Sequence, residues 1–155
     1  MGGRHEVSRS IRADASTLYE MVSDLPRMGE WSPENAGGRW LRGGPVEGGR
    51  FRGHNRLGWL RWSTNVEIVK AVPGVQFEFV VHLVWPLRHL VTWGYIFERA
   101  EHGTMVREYR QDHRRGWLVW LASKRIARLG DPDAHYVRGM ELTLERLAAT
   151  AEAGI

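Results

Sequence analysis

The sequence contains no cysteine, and only two of its 22 lysine and arginine residues are lysines. The lack of cysteine excludes disulfide bonds, a thiolate nucleophile and the common cysteine zinc sites. No apolar run reaches the ~18 residues that a transmembrane helix needs, and residues 1–12 lack the charged head and apolar stretch of a secretory signal. These absences lead us to expect a protein of the cytoplasm.

Residues that could hold a metal or a cofactor are few and unsuitably spaced. No two histidines share a helix at the spacing of a metal site, and the glycine pairs at 43–44 and 48–49 lack the strand-to-helix context of a phosphate loop. We therefore predict no metal and no cofactor. An acid/base cluster is conceivable only where Asp112 and His113 approach His135, and surface or capping roles are the alternative for these side chains.

The composition is otherwise that of one globular domain spanning residues 1–155. Hydrophobic residues make up 43 % of the chain and charged residues 26 %, a balance typical of neither a disordered nor a membrane-spanning protein. The net charge of +4 is accompanied by no nucleic-acid-binding motif, so it does not favour a nucleic-acid partner. The eight tryptophans suggest a large aromatic interior or pocket.

The hydrophobic pattern predicts one strand, a helical region and then an antiparallel meander. Residues 6–11 alternate like a half-buried strand, and apolar residues at helical spacing follow the expected N-cap, Asp14, over residues 15–23. Pro26 either ends this helix or begins a second short one. Six further strands are predicted at 39–42, 50–56, 62–71, 76–84, 90–99 and 104–113. Their short connections exclude parallel crossovers, so the seven strands form a curved antiparallel sheet.

A long helix, residues 131–153, ends the chain. Asp131 is a natural N-cap, Pro132 suits the first helical position, and apolar residues recur along one stripe at steps of three and four. Gly139 lies near this stripe, where glycine costs about 0.5–1 kcal/mol relative to alanine. It predicts either the close approach of another backbone or room for a ligand.

Alternation along the strands indicates which side chains line the concave face of the sheet. The apolar candidates are Val66, Ile68, Phe77, Phe79, Val81, Leu83, Trp93, Tyr95 and Phe97. In the last strand we take Val106 as inward-facing, which turns Glu108 and Arg110 inward as well. These two are either a polar pair in an apolar cavity, and then the candidates for catalysis, or a solvated or structural ion pair.

Residues 114–129 interleave tryptophans with arginines and predict a short basic amphipathic helix. This segment packs on the mouth of the sheet, hinges over it as a lid, or makes transient contact with a membrane surface. Between the last two uses we favour the lid, because access to an enclosed ligand needs a movable cover.

Four separated segments carry family-like motifs. They are the stretch Ser23–Glu34, Trp93-x-Tyr95-x-Phe97, Gly103-Thr104-x-Val106-x-Glu108 and Gly139-Met140-x-x-Thr143-Leu144-x-x-Leu147. With the order of elements, they resemble the bacterial polyketide cyclase/dehydrase-like group of the START-like (helix-grip, SRPBCC) superfamily. The resemblance implies an α+β helix-grip fold, in which the curved sheet wraps round the C-terminal helix and leaves an internal cavity for a small hydrophobic or aromatic ligand, lipid- or polyketide-like.

The resemblance and the residue pattern together define the predicted ligand site. The resemblance places Trp31, Trp93, Tyr95, Glu108, Gly139 and Met140 at the cavity, and alternation and helical spacing add Trp62, Phe77, Phe79, Trp117, Tyr136 and Thr143. The leading hypothesis is a binder or carrier of an apolar ligand. The alternatives are a cyclase/dehydrase-like enzyme using the same cavity and a peripheral membrane or protein-interaction module using residues 114–129. The sequence does not define an oligomeric state.

Overall fold

The computed structural model describes residues 3–82, 91–113 and 132–153. The elements are β1 (Arg4–Ile11), α1 (Ala15–Ser23), a 3₁₀ helix (Leu25–Glu30), β2 (Asn35–Arg42), β3 (Arg50–Leu57), β4 (Leu60–Val72), β5 (Gln76–His82), β6 (Val91–Ala100), β7 (Gly103–Asp112) and α2 (Pro132–Glu152). The strands form one antiparallel sheet in the order β1-β7-β6-β5-β4-β3-β2. The predicted α+β architecture is confirmed, and β1 and β2, which follow one another along the chain, lie at opposite edges.

The connection between the two edge strands carries α1 and the 3₁₀ helix. Leu18 and Val22 of α1 are fully buried, and Leu25 and Trp31 continue the same core. Pro26 lies at the start of the 3₁₀ helix, so the second of its two predicted roles is confirmed. Asp14 is the N-cap of α1, as predicted, and its backbone is extended as an N-cap requires, although its side chain makes no capping hydrogen bond.

α2 packs mainly against β1, with smaller contacts to α1 and β7. Its buried stripe confirms the predicted periodicity and consists of Met140, Thr143, Leu144, Leu147 and Ala148. Every helix in the described ranges is too short or too polar to span a bilayer. The predicted cap at Asp131, the basic segment 114–129 with Trp117, and Leu83 lie outside the described residues.

The concave face is lined as the alternation predicts. Val66, Ile68, Phe77, Phe79, Tyr95 and Phe97 are buried, and Trp93 and Val81 are partly buried against them. Val106 is fully buried, and Glu108 and Arg110, two and four residues further along β7, are buried with it. The inward phase assigned to β7 is therefore confirmed.

β2 begins four residues earlier than predicted, because Gly37 and Gly38 extend the strand through an irregularity instead of breaking it. Their φ angles are 99° and 153°, a region that favours glycine. The ring of Phe51 lies 2.6 Å from where a Cβ of Gly38 would stand, and the Asn35 side-chain oxygen accepts the Gly37 amide at 2.9 Å. The two glycines thus let the edge strand bend closely over Phe51.

Candidate functional site

Polar side chains enter the concave face where β6 and β7 run side by side. Glu108 lies opposite Tyr95 in the ladder, and Arg110 lies opposite Trp93. Because side chains two residues apart on a strand share a face, both pairs point to the inner side of the sheet. Sequence alternation therefore brings an acid, a phenol, a guanidinium and an indole into one row at the polar end of the core.

Glu108 is only 2 % exposed. The Tyr95 hydroxyl donates a hydrogen bond of 3.2 Å to Glu108 Oε1, while Oε2 has no hydrogen-bond partner within the described part of the chain. Burial raises the pKa of Glu108 from 4.5 to about 8, and the hydrogen bond from Tyr95 opposes part of that rise. Burial also raises the pKa of Tyr95 well above 10, and the negative charge of ionised Glu108 is the second cause of that rise. At neutral pH Glu108 is therefore an uncharged carboxylic acid that can donate a hydrogen bond.

Arg110, 3 % exposed, extends from β7 towards the start of α2. Its guanidinium carbon lies 3.7 Å from the centroid of the Tyr136 ring and 5.7 Å from that of Trp93. Nη2 forms an ion pair of 3.3 Å with Asp112 Oδ2. The Arg110 cation thus contacts two aromatic rings and pairs with Asp112, a carboxylate two residues further along the same strand.

The opposite wall of the site comes from α2. Tyr136, Gly139, Met140 and Thr143 lie at steps of three and four on this helix, and the Thr143 hydroxyl donates a hydrogen bond of 2.8 Å to the Gly139 carbonyl. Apart from its own helix, no described residue has a heavy atom within 4 Å of the place where a Cβ of Gly139 would stand. Of the two reasons predicted for this glycine, close approach of another backbone is not found among the described residues.

The conceivable cluster of Asp112, His113 and His135 does not form, which leaves the alternative of surface or capping roles. His135 Nε2 lies 2.6 Å from Glu34 Oε1, just before β2, and His113 Nε2 lies 2.8 Å from the Thr92 hydroxyl. A second contact, which the sequence analysis missed, joins His5 Nε2 of β1 to Asp133 Oδ1 at 3.1 Å. The cluster does not assemble because each of the two histidines has a different partner.

The chain matches the family model described as polyketide cyclase/dehydrase and lipid transport over residues 3–152. The protein belongs to this family. Among solved structures, the polyketide-cyclase-like protein Cgl2372 of Corynebacterium glutamicum is 28 % identical, with a TM-score of 0.69, and the match covers 99 % of this chain and 94 % of that one. The START-like resemblance is therefore confirmed. No protein of curated function matches the chain.

More distant structures share the fold alone. The major latex-like protein 151 of Panax ginseng is 14 % identical, with a TM-score of 0.71 and coverage of 97 % of this chain and 98 % of its own. Ms6760 of Mycobacterium smegmatis is 13 % identical, with a TM-score of 0.69 and coverage of 98 % and 92 %. The family fold therefore persists where sequence identity is low, and the polar residues of each member must be considered individually.

In this family member, the remaining predicted ligand residues lie in different surroundings. Phe79 is opposite Trp93 in the ladder and belongs to the site. Trp31 is completely buried beside the 3₁₀ helix, and Phe77 packs edge-on against Tyr19 of α1, so both lie in the apolar core. Trp62 is 37 % exposed near the β3–β4 turn. Trp31 and Trp62 therefore lie away from the row of polar side chains, whereas Phe77 lies opposite Tyr95 in the ladder and adjoins that row.

Two further features concern metal binding and the surface outside the concave face. Among the described residues, no three His, Asp or Glu side chains are grouped closely enough to bind a metal ion. A surface groove of about 370 Å³ lies between the 3₁₀ helix and β2, lined in part by Arg27, Gly29, Asn35 and Arg56. This groove is on the outside of the molecule and is separate from the concave face.

Proposed function

We propose that the protein binds a small hydrophobic or aromatic ligand, lipid- or polyketide-like, between the concave face of the sheet and α2. The observation that carries the proposal is the open side of Gly139, which flanks a helix stripe that is otherwise buried. α2 packs mainly on β1, which favours free space between this helix and the strands further along the sheet. The family description, which includes lipid transport, agrees with such a role.

The chemistry of the wall suggests how this ligand is oriented. Phe79, Trp93 and Tyr95 offer aromatic surface, and apolar pockets with a few placed polar groups are the usual form of small-molecule sites. Glu108 adds a hydrogen-bond donor at neutral pH, because its pKa of about 8 keeps the carboxyl protonated. An apolar molecule that carries a carbonyl or hydroxyl group at one end suits this combination.

Native mass spectrometry of the purified protein, searching for a co-purified molecule, and titration with an environment-sensitive apolar dye test the proposal. Gly139→Leu should lower dye affinity by more than tenfold, because the new side chain occupies ligand space. Its thermal stability should be equal or higher, since leucine is the better helix former by roughly 0.8 kcal/mol. Ala149→Leu, on the exposed face of the same helix, is the matched control and should bind normally. Unchanged dye binding by Gly139→Leu, or its failure to fold, would contradict the proposal.

A second candidate is a cyclase/dehydrase-like enzyme acting in the same cavity, and the state of Glu108 favours it. Loss of water from a β-hydroxy ketone requires removal of a proton beside the carbonyl and protonation of the departing hydroxyl. The carboxylate form of Glu108 can take the proton from the carbon beside the carbonyl and then give it to the departing hydroxyl, which leaves as water. A pKa of about 8 makes both forms of the carboxyl accessible near neutral pH, and the Tyr95 hydroxyl lies beside it. Glu108→Gln keeps the shape of the side chain but cannot transfer a proton. For an enzyme, this variant should lose at least 100-fold in turnover of a model polyketone and still bind dye, whereas a carrier shows no turnover in either form.

A further inference from the structure

The outer face of β2, β3 and β4 carries a basic surface formed by Arg39, Arg42, Arg50, Arg52, Arg56 and Arg61, all exposed. In the sheet register Arg39 lies opposite Arg52, Arg42 opposite Arg50, and Arg56 opposite Arg61. Residues 35–72 contain six arginines and one lysine against two glutamates, a charge of +5, while the whole chain carries +4. Among the described residues, positive charge is therefore concentrated in these three strands.

This arrangement does not help the sheet itself. Like charges directly across an antiparallel ladder are destabilising. In the described ranges none of the six arginines has a carboxylate within ion-pair distance, although Arg50 lies opposite Glu67 in the ladder. Elsewhere Arg4, Arg27 and Arg107 each have at least one such partner. A surface that accumulates uncompensated cations at a cost to folding is suited to a negatively charged partner.

An apolar tip adjoins the basic surface. The β3–β4 turn, Leu57–Leu60, exposes 81 % of Trp59, and Gly58 adopts the left-handed conformation that closes the turn. Arg56 and Arg61 immediately precede and follow this turn, about one residue, or ~3.3 Å, behind the tip. Indole rings favour the boundary between lipid headgroups and acyl chains, and arginine side chains reach phosphates from there. The tip and the two arginines next to it, Arg56 and Arg61, thus match the layers of an anionic bilayer.

We propose that the basic surface and the Trp59 tip dock the protein on an anionic phospholipid bilayer. A second copy of the chain does not fit this face, because it would bring six further arginines into contact with the first six. Single-stranded nucleic acid is favoured by aromatic rings set among the cations, where bases can stack. Here the highly exposed indole stands beyond the arginines, at one end of the surface, which is the order a bilayer requires.

Docking by the Trp59 tip also sets which part of the protein faces the bilayer. The β3–β4 turn lies at the same end of the sheet as the first residues of β6, the last residues of β7 and the start of α2. Trp93, Arg110 and Tyr136 lie at that end. A protein docked by its Trp59 tip therefore turns the polar end of its concave face towards the lipid surface.

Vesicle co-sedimentation of the full chain tests the docking. We expect binding to vesicles of phosphatidylcholine with phosphatidylglycerol at low salt, loss of binding at high salt, and little binding to phosphatidylcholine alone. Arg56→Ser/Arg61→Ser should weaken binding about 30-fold, which corresponds to roughly 1 kcal/mol for each arginine near an anionic surface. Arg138→Ser/Arg146→Ser removes the same charge from the exposed face of α2 and should weaken it only a few-fold.

The tip has its own pair of variants. Trp59→Ser should reduce vesicle binding several-fold, while Val75→Ser, which alters an exposed apolar residue at the β4–β5 turn, should leave it unchanged. Thermal melting provides a second measurement: Arg56→Ser/Arg61→Ser should melt at the same or a higher temperature, because a like-charge pair is removed. Equal losses in both arginine pairs would overturn the proposal. So would binding of single-stranded RNA that depends on Arg56 and Arg61 without any vesicle binding, an outcome that assigns the surface to nucleic acid.

Discussion

The two ends of the concave face differ in chemistry although they belong to the same strands. Under α1, Ile11, Leu18, Phe77 and Leu147 form an apolar end with essentially no solvent exposure. At the start of α2, the same sheet holds Glu108, Arg110 and Asp112, all buried and all polar. Apolar burial stabilises the fold at one end, while buried ionisable groups at the other end reduce stability unless they are paired. The sheet thus separates the part that holds the fold together from the part that presents polar groups.

The largest expected effect comes from breaking the apolar end. Phe77→Ala removes a fully buried ring that packs against Tyr19 and should lower the free energy of unfolding by about 3–5 kcal/mol. Urea denaturation measures this loss, and Val75→Ala, at an exposed position, is the control. A loss below about 1 kcal/mol would mean that the apolar end does not carry the stability assigned to it.

The polar end should impose a pH dependence on stability. In the folded state Glu108 keeps its proton up to about pH 8, whereas the unfolded chain releases it near pH 4.5. The unfolded state binds fewer protons over this interval, so the free energy of unfolding falls as pH rises from about 4.5 to about 8. Glu108→Gln should be more stable than the parent protein above pH 8, by a few kcal/mol, and nearly equal to it at pH 4.

Urea denaturation at several pH values measures this difference. Glu141→Gln, on the exposed side of α2, is the matched control and should leave the pH profile of the parent protein unchanged. Parallel profiles for Glu108→Gln and the parent protein would show that Glu108 titrates normally in the folded state.

A smaller change sharpens the same comparison. Tyr95→Phe removes the hydrogen bond that holds the pKa of Glu108 down, so the pKa of that carboxyl should rise further. The free energy of unfolding should fall by about 1 kcal/mol, the usual net value of one hydrogen bond. Carboxyl-carbon NMR titration measures the pKa of Glu108 directly. An unchanged pKa in the variant would show that the Tyr95 hydroxyl does not stabilise the Glu108 carboxylate.

The smallest predicted effect concerns the contact of α2 with the β2 edge. His135→Ala removes the contact with Glu34 and should lower the free energy of unfolding by no more than ~1 kcal/mol, as for other partly exposed polar pairs. Hydrogen exchange should accelerate in the first turn of α2 and remain slow around the buried Leu144 and Leu147. Uniform acceleration along the helix would show that the contact supports the whole element.

Local pattern predicted the regular parts of this structure and failed where partners are distant in sequence. Alternation was sufficient to predict which side chains line the concave face. Side chains along a strand alternate between its two faces, so the inward position of Val106 determines the face of every other residue in β7. It predicted that Glu108 and Arg110 share that face, but not that Arg110 pairs with Asp112. The His135–Glu34 and His5–Asp133 contacts join residues 101 and 128 positions apart, and periodicity carries no information on such pairs.

The glycines show the same limit. Gly37 and Gly38 precede residue 39, where β2 was predicted to begin, yet both lie within the strand, and a side chain at position 38 would meet the Arg52 carbonyl oxygen and the Phe51 ring. Trp62 fits the inward phase of β4 but lies near the end of its strand, where the sheet no longer encloses it. Phase alone therefore predicts the direction of a side chain but not the depth at which it lies.

The contacts of the first turn of α2 connect the two edges of the open sheet. The ladder runs from β1 across five inner strands to β2, and the return path passes from His5 to Asp133, along the helix to His135, and back through Glu34. Because the first turn of α2 contacts both edges of the sheet, the separation of the two edge strands and the position of this turn depend on each other. Widening the sheet would lengthen the His5–Asp133 or the His135–Glu34 contact, so the spread of the sheet and the position of this helical turn change together.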